Sequence, residues 1–364
     1  MTYVVLSDIH AHNWSLFAAT NPDGVNTRLR IILNEIERAA DALIAKGGHR
    51  MIIAGDIFHT RGVMDPEVLN PVRETFDRVI EKGIEVFAIP GNHDLKSRDT
   101  IELSSAIQNL EQVGLTGGSF RVMNEPSIHQ TPYFNLCFVP WRNTTEELLR
   151  DLGNLAKEPI VLAKTDVFIH AGIDGVLSGH SATGSGLTVA DLAKFGFRHV
   201  FAGHYHNHAV LGSGVVSIGA TTHHNWGDVG TRAGFLMVDG LHGTVQFNDT
   251  QAPKFVDISG QTEEDMELMS IGNYVRFRGP QMTNEQINEF RDQLKKWGAL
   301  GTSIEVPRVS AVTRTTAPVK GLSIKESIDK YVTDATVPAH LTKQEILKKA
   351  QEVFYLSQAV VEES

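Results

Sequence analysis

Residues 3–10 read Tyr3-Val4-Val5-Leu6-Ser7-Asp8-Ile9-His10: an apolar run of strand type that delivers a carboxylate and an imidazole at its end. The same grammar returns at Met51-Ile52-Ile53-Ala54, which leads into Gly55-Asp56-Ile57-Phe58-His59. It returns again at Val86-Phe87-Ala88-Ile89, which leads into Gly91-Asn92-His93-Asp94. Between these runs lie helical patterns. Leu29, Ile32, Leu33, Ile36, Ala40, Leu43 and Ile44 share one face, closed by Gly47-Gly48, and Val72, Phe76, Val79 and Ile80 share another, closed by Gly83. Strands alternating with helices indicate an α/β domain with chemistry at the strand ends.

After about residue 115 the period shortens. Strands are expected near Asn135–Pro140, Ile160–Leu162, Val167–Ile169, Val200–Ala202, Val215–Ile218 and Phe235–Val238, which implies two packed sheets with flanking helices. Two further motifs end strands here: His170 in Ile169-His170-Ala171-Gly172, and Gly203-His204-Tyr205-His206.

A composition shift near Gln251–Glu267 marks a boundary. Beyond it, Tyr274–Arg278 alternates as a half-buried strand, and Thr283 with Gln286 forms a capping box. Ile287, Phe290, Leu294 and Trp297 line a helix ending at Gly298, and Ser303–Val306 returns as a strand. Two amphipathic helices close the chain. Ser323 with Glu326 starts one bearing Ile324, Ile328, Tyr331 and Val332; Thr342 with Glu345 starts another bearing Ile346, Ala350, Val353, Phe354 and Val360. The expected division is 1–250 for the catalytic domain, 265–318 for a β-α-β capping domain and 319–364 for a helical segment. Apolar faces at a chain end need a cover.

The chain has 364 residues, 41% of them hydrophobic and 21% charged, ordinary values that allow a sizeable core and exclude a disordered chain. Residues 1–250 hold 15 of the 16 histidines and a net charge of −8, against −2 for the remainder, so the chemistry is expected in the first part. The total of −10 argues against grip on nucleic acid by bulk electrostatics alone. The start lacks a basic leader and no apolar run approaches a membrane span. The single cysteine, Cys137, excludes a disulfide framework and reads as a core residue. A cytoplasmic, non-membrane protein is expected.

Each of the five motifs alone is weak; together and in this order they point to a metal centre. Residues i and i+2 of a strand share a face, so Asp8 with His10, and His204 with His206, converge if their strands persist that far. Mixed carboxylate and imidazole ligands suit Mn, Fe or Zn. Seven donors are too many for one tetrahedral ion and suit two ions sharing a carboxylate, with Asp56 as the natural bridge. Asn92 adds a neutral oxygen that limits the negative charge facing a phosphate. Two ions about 3.5–4 Å apart clamp a phosphoryl group and generate hydroxide at neutral pH.

These motifs resemble the calcineurin-like metallophosphoesterases, and more narrowly the SbcD-type nuclease subunits of DNA repair complexes. The histidine closing Gly55-Asp56-Ile57-Phe58-His59 is typical of that narrower type. Ser217-Ile218-Gly219-Ala220-Thr221, Trp226-Gly227-Asp228 and Ala233-Gly234-Phe235 are similar to its strand and turn after the last motif. The resemblance covers roughly 1–245 and is architectural only over 265–364. It implies a four-layered α/β/β/α domain. One ion would be held by Asp8, His10, Asp56 and His206, and the other by Asp56, Asn92, His170 and His204. It further implies that His93 protonates the leaving oxygen, that Asp94 orients His93, and that His59 positions the scissile phosphate. Manganese is the expected metal, with Mg, Fe or Zn as alternatives.

The activity so implied is double-strand exonuclease and single-strand endonuclease action in recombination or repair. The partners are DNA and an SbcC-type, SMC-like ATPase docked on the C-terminal helices; a homodimer is compatible. The alternative is a small-molecule phosphodiesterase or phosphoprotein phosphatase of the same superfamily.

Overall fold

The computed structural model describes residues 1–62, 64–95, 106–176, 186–307, 323–335, 337 and 341–362. Residues 308–322 of the expected capping and helical segments lie outside this set, as do His180, His340 and the side chains of Ile324, Phe354 and Val360.

Two sheets form the core. The first has seven strands in the spatial order Thr244–Asp249, Gly234–Asp239, Thr2–Leu6, Arg50–Ala54, Glu85–Ile89, Ser119–Val122 and Gln112–Val113. Thr2–Leu6, Arg50–Ala54, Glu85–Ile89 and Ser119–Val122 run parallel. Their C-terminal ends therefore point one way, which brings the first three motifs to a common edge. The second has six strands in the order Ala209–Gly212, Val215–Ser217, His199–Gly203, Thr165–His170, Asn135–Val139 and Ser127–Gln130. Its parallel central strands carry His170 and the Gly203 loop in the same way.

Helices Thr27–Ala45 and Pro66–Glu81 cover the outer face of the first sheet through Leu29, Ile36, Val72 and Phe76. Thr145–Leu155 and Val189–Ala193 cover the second through Leu148, Leu152 and Leu192. Between the sheets lies an aromatic layer of Tyr3, Phe87, Phe138, Phe168 and Phe201. The four-layered α/β/β/α architecture follows from this alternation of inward positions on each strand. Cys137 is buried, and burial pushes its thiol up to about 12.

A buried polar cluster lies at the aromatic layer. The buried Asp166 carboxylate accepts from Tyr3 Oη at 2.6 Å, from Arg198 Nε at 2.8 Å and from His199 Nδ1 at 2.8 Å. Burial opposes its charge, but these three donors hold its carboxyl below the usual range.

Ile160–Leu162 is not a strand. A short 3₁₀ turn occupies Leu162–Lys164, and the strand begins at Thr165. Apolar character over three residues does not separate strand from turn, and here the Thr165 hydroxyl donates to the Val161 carbonyl and closes the turn.

The third sheet, Phe255–Asp257, Tyr274–Arg278 and Gly301–Glu305, is parallel throughout, with helices Glu263–Ser270 and Asn284–Lys296 beside it. Its first strand starts at Phe255, inside the stretch expected to be a boundary. The capping box of Thr283 and Gln286 is present. This module seats on the catalytic domain through rings: Phe17 stacks on Tyr274 at 5.2 Å, and Trp226 meets Phe255 at 4.8 Å. The Arg28 guanidinium lies over Trp14, Phe255 and Tyr274.

Met1–Arg308 forms one compact unit and Val309–Ser364 another. In the second, helices Ile324–Asp334 and Lys343–Glu362 pack on each other. Val332 is buried, whereas Tyr331 and Val353 are 70% and 58% exposed. Among the described residues no helix is long and apolar enough to cross a membrane.

Candidate metal centre

All seven expected ligands meet at the shared edge of the two sheets, but not through strand alternation. The strand Thr2–Leu6 ends before Asp8, and His199–Gly203 ends before His204. Instead Asp8, His10, Asp56 and His204 take positive φ values of 48°, 46°, 55° and 110°. Non-glycine residues in this region carry strain that the surroundings must hold. Here the first two motif loops are zipped together: Asp8 N–H donates to the Gly55 carbonyl at 3.1 Å, His10 N–H to Asp56 at 3.0 Å and Ala11 N–H to Ile57 at 2.8 Å.

Close approach explains the glycines. A Cβ on Gly91 would sit 2.2 Å from Asp56 Oδ1, and one on Gly55 would sit 2.2 Å from His170 Nδ1.

The donors fall into two groups around Asp8 and Asp56. Asp8, His10 and His206 place one ligand atom each within 4.8 Å of one another, and so do Asp8, Asp56 and His170. His170 Nε2 lies 3.4 Å from Asp56 Oδ2 and 3.0 Å from Asn92 Oδ1; His204 Nδ1 also lies 3.0 Å from Asn92 Oδ1. His10 Nε2 is 3.7 Å from Asp56 Oδ2 and 3.9 Å from Asp8 Oδ1. Asp8 is common to both groups, and Asp56 Oδ2 reaches from the second to His10 of the first.

The chemistry of this donor set fits cations. His170 Nδ1 donates to the Ala54 carbonyl at 2.8 Å, which turns the Nε2 lone pair toward two oxygen acceptors. Two buried carboxylates, Asp8 and Asp56, have no lysine or arginine partner among the described residues. Buried charge without a counter-charge is costly. Without metal the imidazoles must serve instead. Burial opposes a charge on His170, but Asp56 overrides it and raises the ring to about 9, while His170 and His10 drive Asp56 low. Burial and His170 push His204 down to about 4.

His206 is oriented by a residue outside the expected ligand set. Its Nδ1 donates to Asp228 Oδ1 at 2.7 Å, leaving Nε2 for the centre. The other Asp228 oxygen accepts from the backbone N–H groups of His224 and Asn225 at 2.7 and 3.1 Å. His224 is buried and bonds the Asp8 carbonyl through Nε2 at 3.0 Å. Burial and His206 push its ring down to about 3. The signal was Asp228 within the quoted Trp226-Gly227-Asp228, but its target lies on the loop that carries His206.

Asp94 does not orient His93. Its carboxylate accepts from the N–H groups of Asp56 at 2.9 Å, Phe58 at 3.1 Å and Gly91 at 2.9 Å, and so locks the loop that carries Asp56. These donors consume both oxygens, and burial with the Asp56 charge pushes the carboxyl up to about 7. His93 is held instead by the His59 carbonyl, 2.6 Å from its Nδ1. Its ring lies 4.9 Å from His10, and His93 N–H donates to Asp56 Oδ1 at 2.8 Å. The His59 ring stacks on His93 at 5.4 Å and lies tilted against Trp14 at 4.6 Å. His10, His59 and His93 themselves lie within ligand distance of one another, so His59 is adjacent to the centre. Burial pushes the His59 ring down to about 4.

Residues 1–208, more than half of the sequence, match the calcineurin-like phosphoesterases. The chain belongs to that family. A narrower likeness joins 76 residues of this phosphoesterase, 21% of the chain, to the DNA double-strand break repair protein Mre11 of Archaeoglobus fulgidus at 37% identity; they cover 16% of that protein's length. A dimetal phosphatase from Danio rerio aligns with 65% of this chain and 91% of its own at a TM-score of 0.41 and 14% identity. The family and the clustered His and Asp side chains together indicate a dinuclear divalent metal site in a hydrolase of phosphoesters.

Proposed function

We propose that this phosphoesterase is a DNA nuclease subunit that hydrolyses phosphodiesters with two manganese ions. Asp8, His10, Asp56 and His206 would hold one ion, and Asp56, Asn92, His170 and His204 the other. When bound, such a pair supplies Lewis acidity at the phosphoryl oxygens and activates water near neutral pH.

The observation that carries the reading is the placement of His93. The His59 carbonyl accepts from Nδ1, which leaves Nε2 of a ring whose neighbour is the ligand His10 as the nitrogen available to exchange a proton with the substrate. That is where an acid is needed for a poor alkoxide leaving group such as a deoxyribose oxygen. Asp94 holds the Asp56 loop rigid, and Asp228 holds His206. His59, stacked beside His93, is placed to meet the scissile phosphate.

DNA as substrate is supported by the likeness to the repair protein over 76 residues and by the His59 motif. The exposed Tyr331 and Val353 support docking of residues 319–364 on an SMC-like ATPase, which would also supply the DNA grip that a chain of net charge −10 lacks. The reading places the protein in the cytoplasm, acting in recombination or repair. The acidic balance favours the second reading, a phosphodiesterase of small molecules or a phosphoprotein phosphatase.

A substrate panel with manganese separates them: linear duplex, single-stranded circle, cyclic dinucleotide and p-nitrophenyl esters. Degradation of both DNA forms is expected. Turnover of the small esters and cyclic dinucleotide with neither DNA form attacked, alone or with the ATPase, overturns the nuclease reading.

A further inference from the structure

A cavity of about 180 Å³ opens beside the metal centre, and one of its walls is His170. Its other lining includes Trp141, Arg142, Asn143, Thr144 and Leu148. We propose that this cavity is a subsite for the nucleobase next to the scissile phosphate, with the Trp141 indole as its stacking face. The proposal rests on the reading of the centre as a phosphodiesterase of nucleic acids.

Trp141 is fixed at the site rather than draped over it. It follows the strand Asn135–Val139, and its N–H donates to the Pro90 carbonyl at 3.0 Å, next to the loop bearing Asn92. Its ring centroid lies 5.4 Å from that of His204 and 5.9 Å from that of His170. Indole Nε1 donates to Asn143 Oδ1 at 3.3 Å, which sets the ring plane.

The charge of the cavity selects its occupant. Arg142 is the one permanent cation among the lining residues, and it is committed: Nε donates to Asp151 at 2.6 Å and Nη2 reaches Glu125 at 3.4 Å. A second phosphate would find no spare positive charge there. An uncharged planar ring finds an aromatic face, the apolar Leu148 and the polar side chain of Asn143. Stacking on an aromatic ring accepts any base, which suits an enzyme that moves along a strand.

The test measures binding of thymidine 5′-monophosphate and of 2-deoxyribose 5-phosphate to the full-length protein loaded with manganese. The two ligands share the phosphate and sugar and differ by the base. The nucleotide is expected to bind about 5- to 150-fold tighter, the ~1–3 kcal/mol of base–aromatic stacking converted at 1.4 kcal/mol per factor of ten. Trp141→Ala should reduce that ratio to near one by weakening the nucleotide alone, and Trp141→Phe should keep most of it, with metal content unchanged in both. Equal affinities in the native protein overturn the proposal. So does a Trp141→Ala variant that weakens both ligands by the same factor, because Trp141 would then act through His170 and His204. Hydrolysis of bis(p-nitrophenyl) phosphate by the native protein is measured alongside. Its absence would sink the phosphodiesterase reading while a base preference would still establish the subsite.

Discussion

His206 and Asp228 form a hydrogen-bonded pair at 2.7 Å, with the carboxylate on the side of the imidazole away from Asp8 and His10. The pair fixes which ring nitrogen faces the metal and raises the basicity of that nitrogen. Asp228 in turn is anchored by the backbone of His224, whose carbonyl accepts from the buried Arg28 at 2.6 Å. Arg28 lies against the rings of Phe255 and Tyr274, so the third sheet is tied to His206 by four successive contacts.

Asp228→Asn should weaken one of the two ions about 10- to 100-fold and spare the other. Metal titration followed by calorimetry gives two separable affinities. An equal loss at both sites would show that Asp228 supports the whole edge rather than His206.

His93→Ala should retain metal and lose about 10²–10⁴-fold in turnover on DNA, the usual contribution of a general acid. The loss should shrink on p-nitrophenyl esters, whose leaving group scarcely needs a proton. Because His93 N–H also donates to Asp56, metal content is checked in the same preparation. Equal defects on both substrates contradict the acid role.

Asp166 accepts from Tyr3 of the first sheet and from Arg198 and His199 beside it on the second. Its folded pKa is depressed, so its contribution is present above the unfolded carboxylate value of about 3.9 and is lost as pH falls through the folded value. Asp166→Asn should cost ~3–5 kcal/mol at neutral pH, the range for breaking a buried ion pair. The gap from the native protein should narrow in acid. Urea unfolding at neutral and acidic pH measures it; a gap that stays constant or widens in acid contradicts the assignment.

Much of the centre was legible because each ligand follows an apolar run, and parallel strands must deliver their C-terminal ends to one edge. What escaped depends on contacts between distant segments. Asp94 looked like the partner of its neighbour His93, yet the nearer donors in space are the N–H groups of Asp56 and Phe58. Strand alternation was expected to align Asp8 with His10, whereas left-handed turns locked by the Gly55–Ile57 backbone do so. Asp228 sat in a quoted motif with no visible target, since its partner is a histidine on another loop. Phe255–Asp257 was too short to read as a strand without its neighbour Tyr274–Arg278.

The unit formed by Met1–Arg308 contains every residue of the centre. Deleting residues 319–364 should therefore leave p-nitrophenyl ester hydrolysis intact and abolish ATP-stimulated duplex degradation with an SbcC-type partner. Unfolding or metal loss in the truncated protein would make those helices part of its own core.

The account turns on Asp56 as the carboxylate shared by two ions. Metal stoichiometry of the purified protein, native and Asp56→Asn, tests this most directly. Two divalent ions per native chain are expected, with both lost in Asp56→Asn and chiefly one weakened in His10→Ala. A native stoichiometry of one, or unchanged loading in Asp56→Asn, would contradict it.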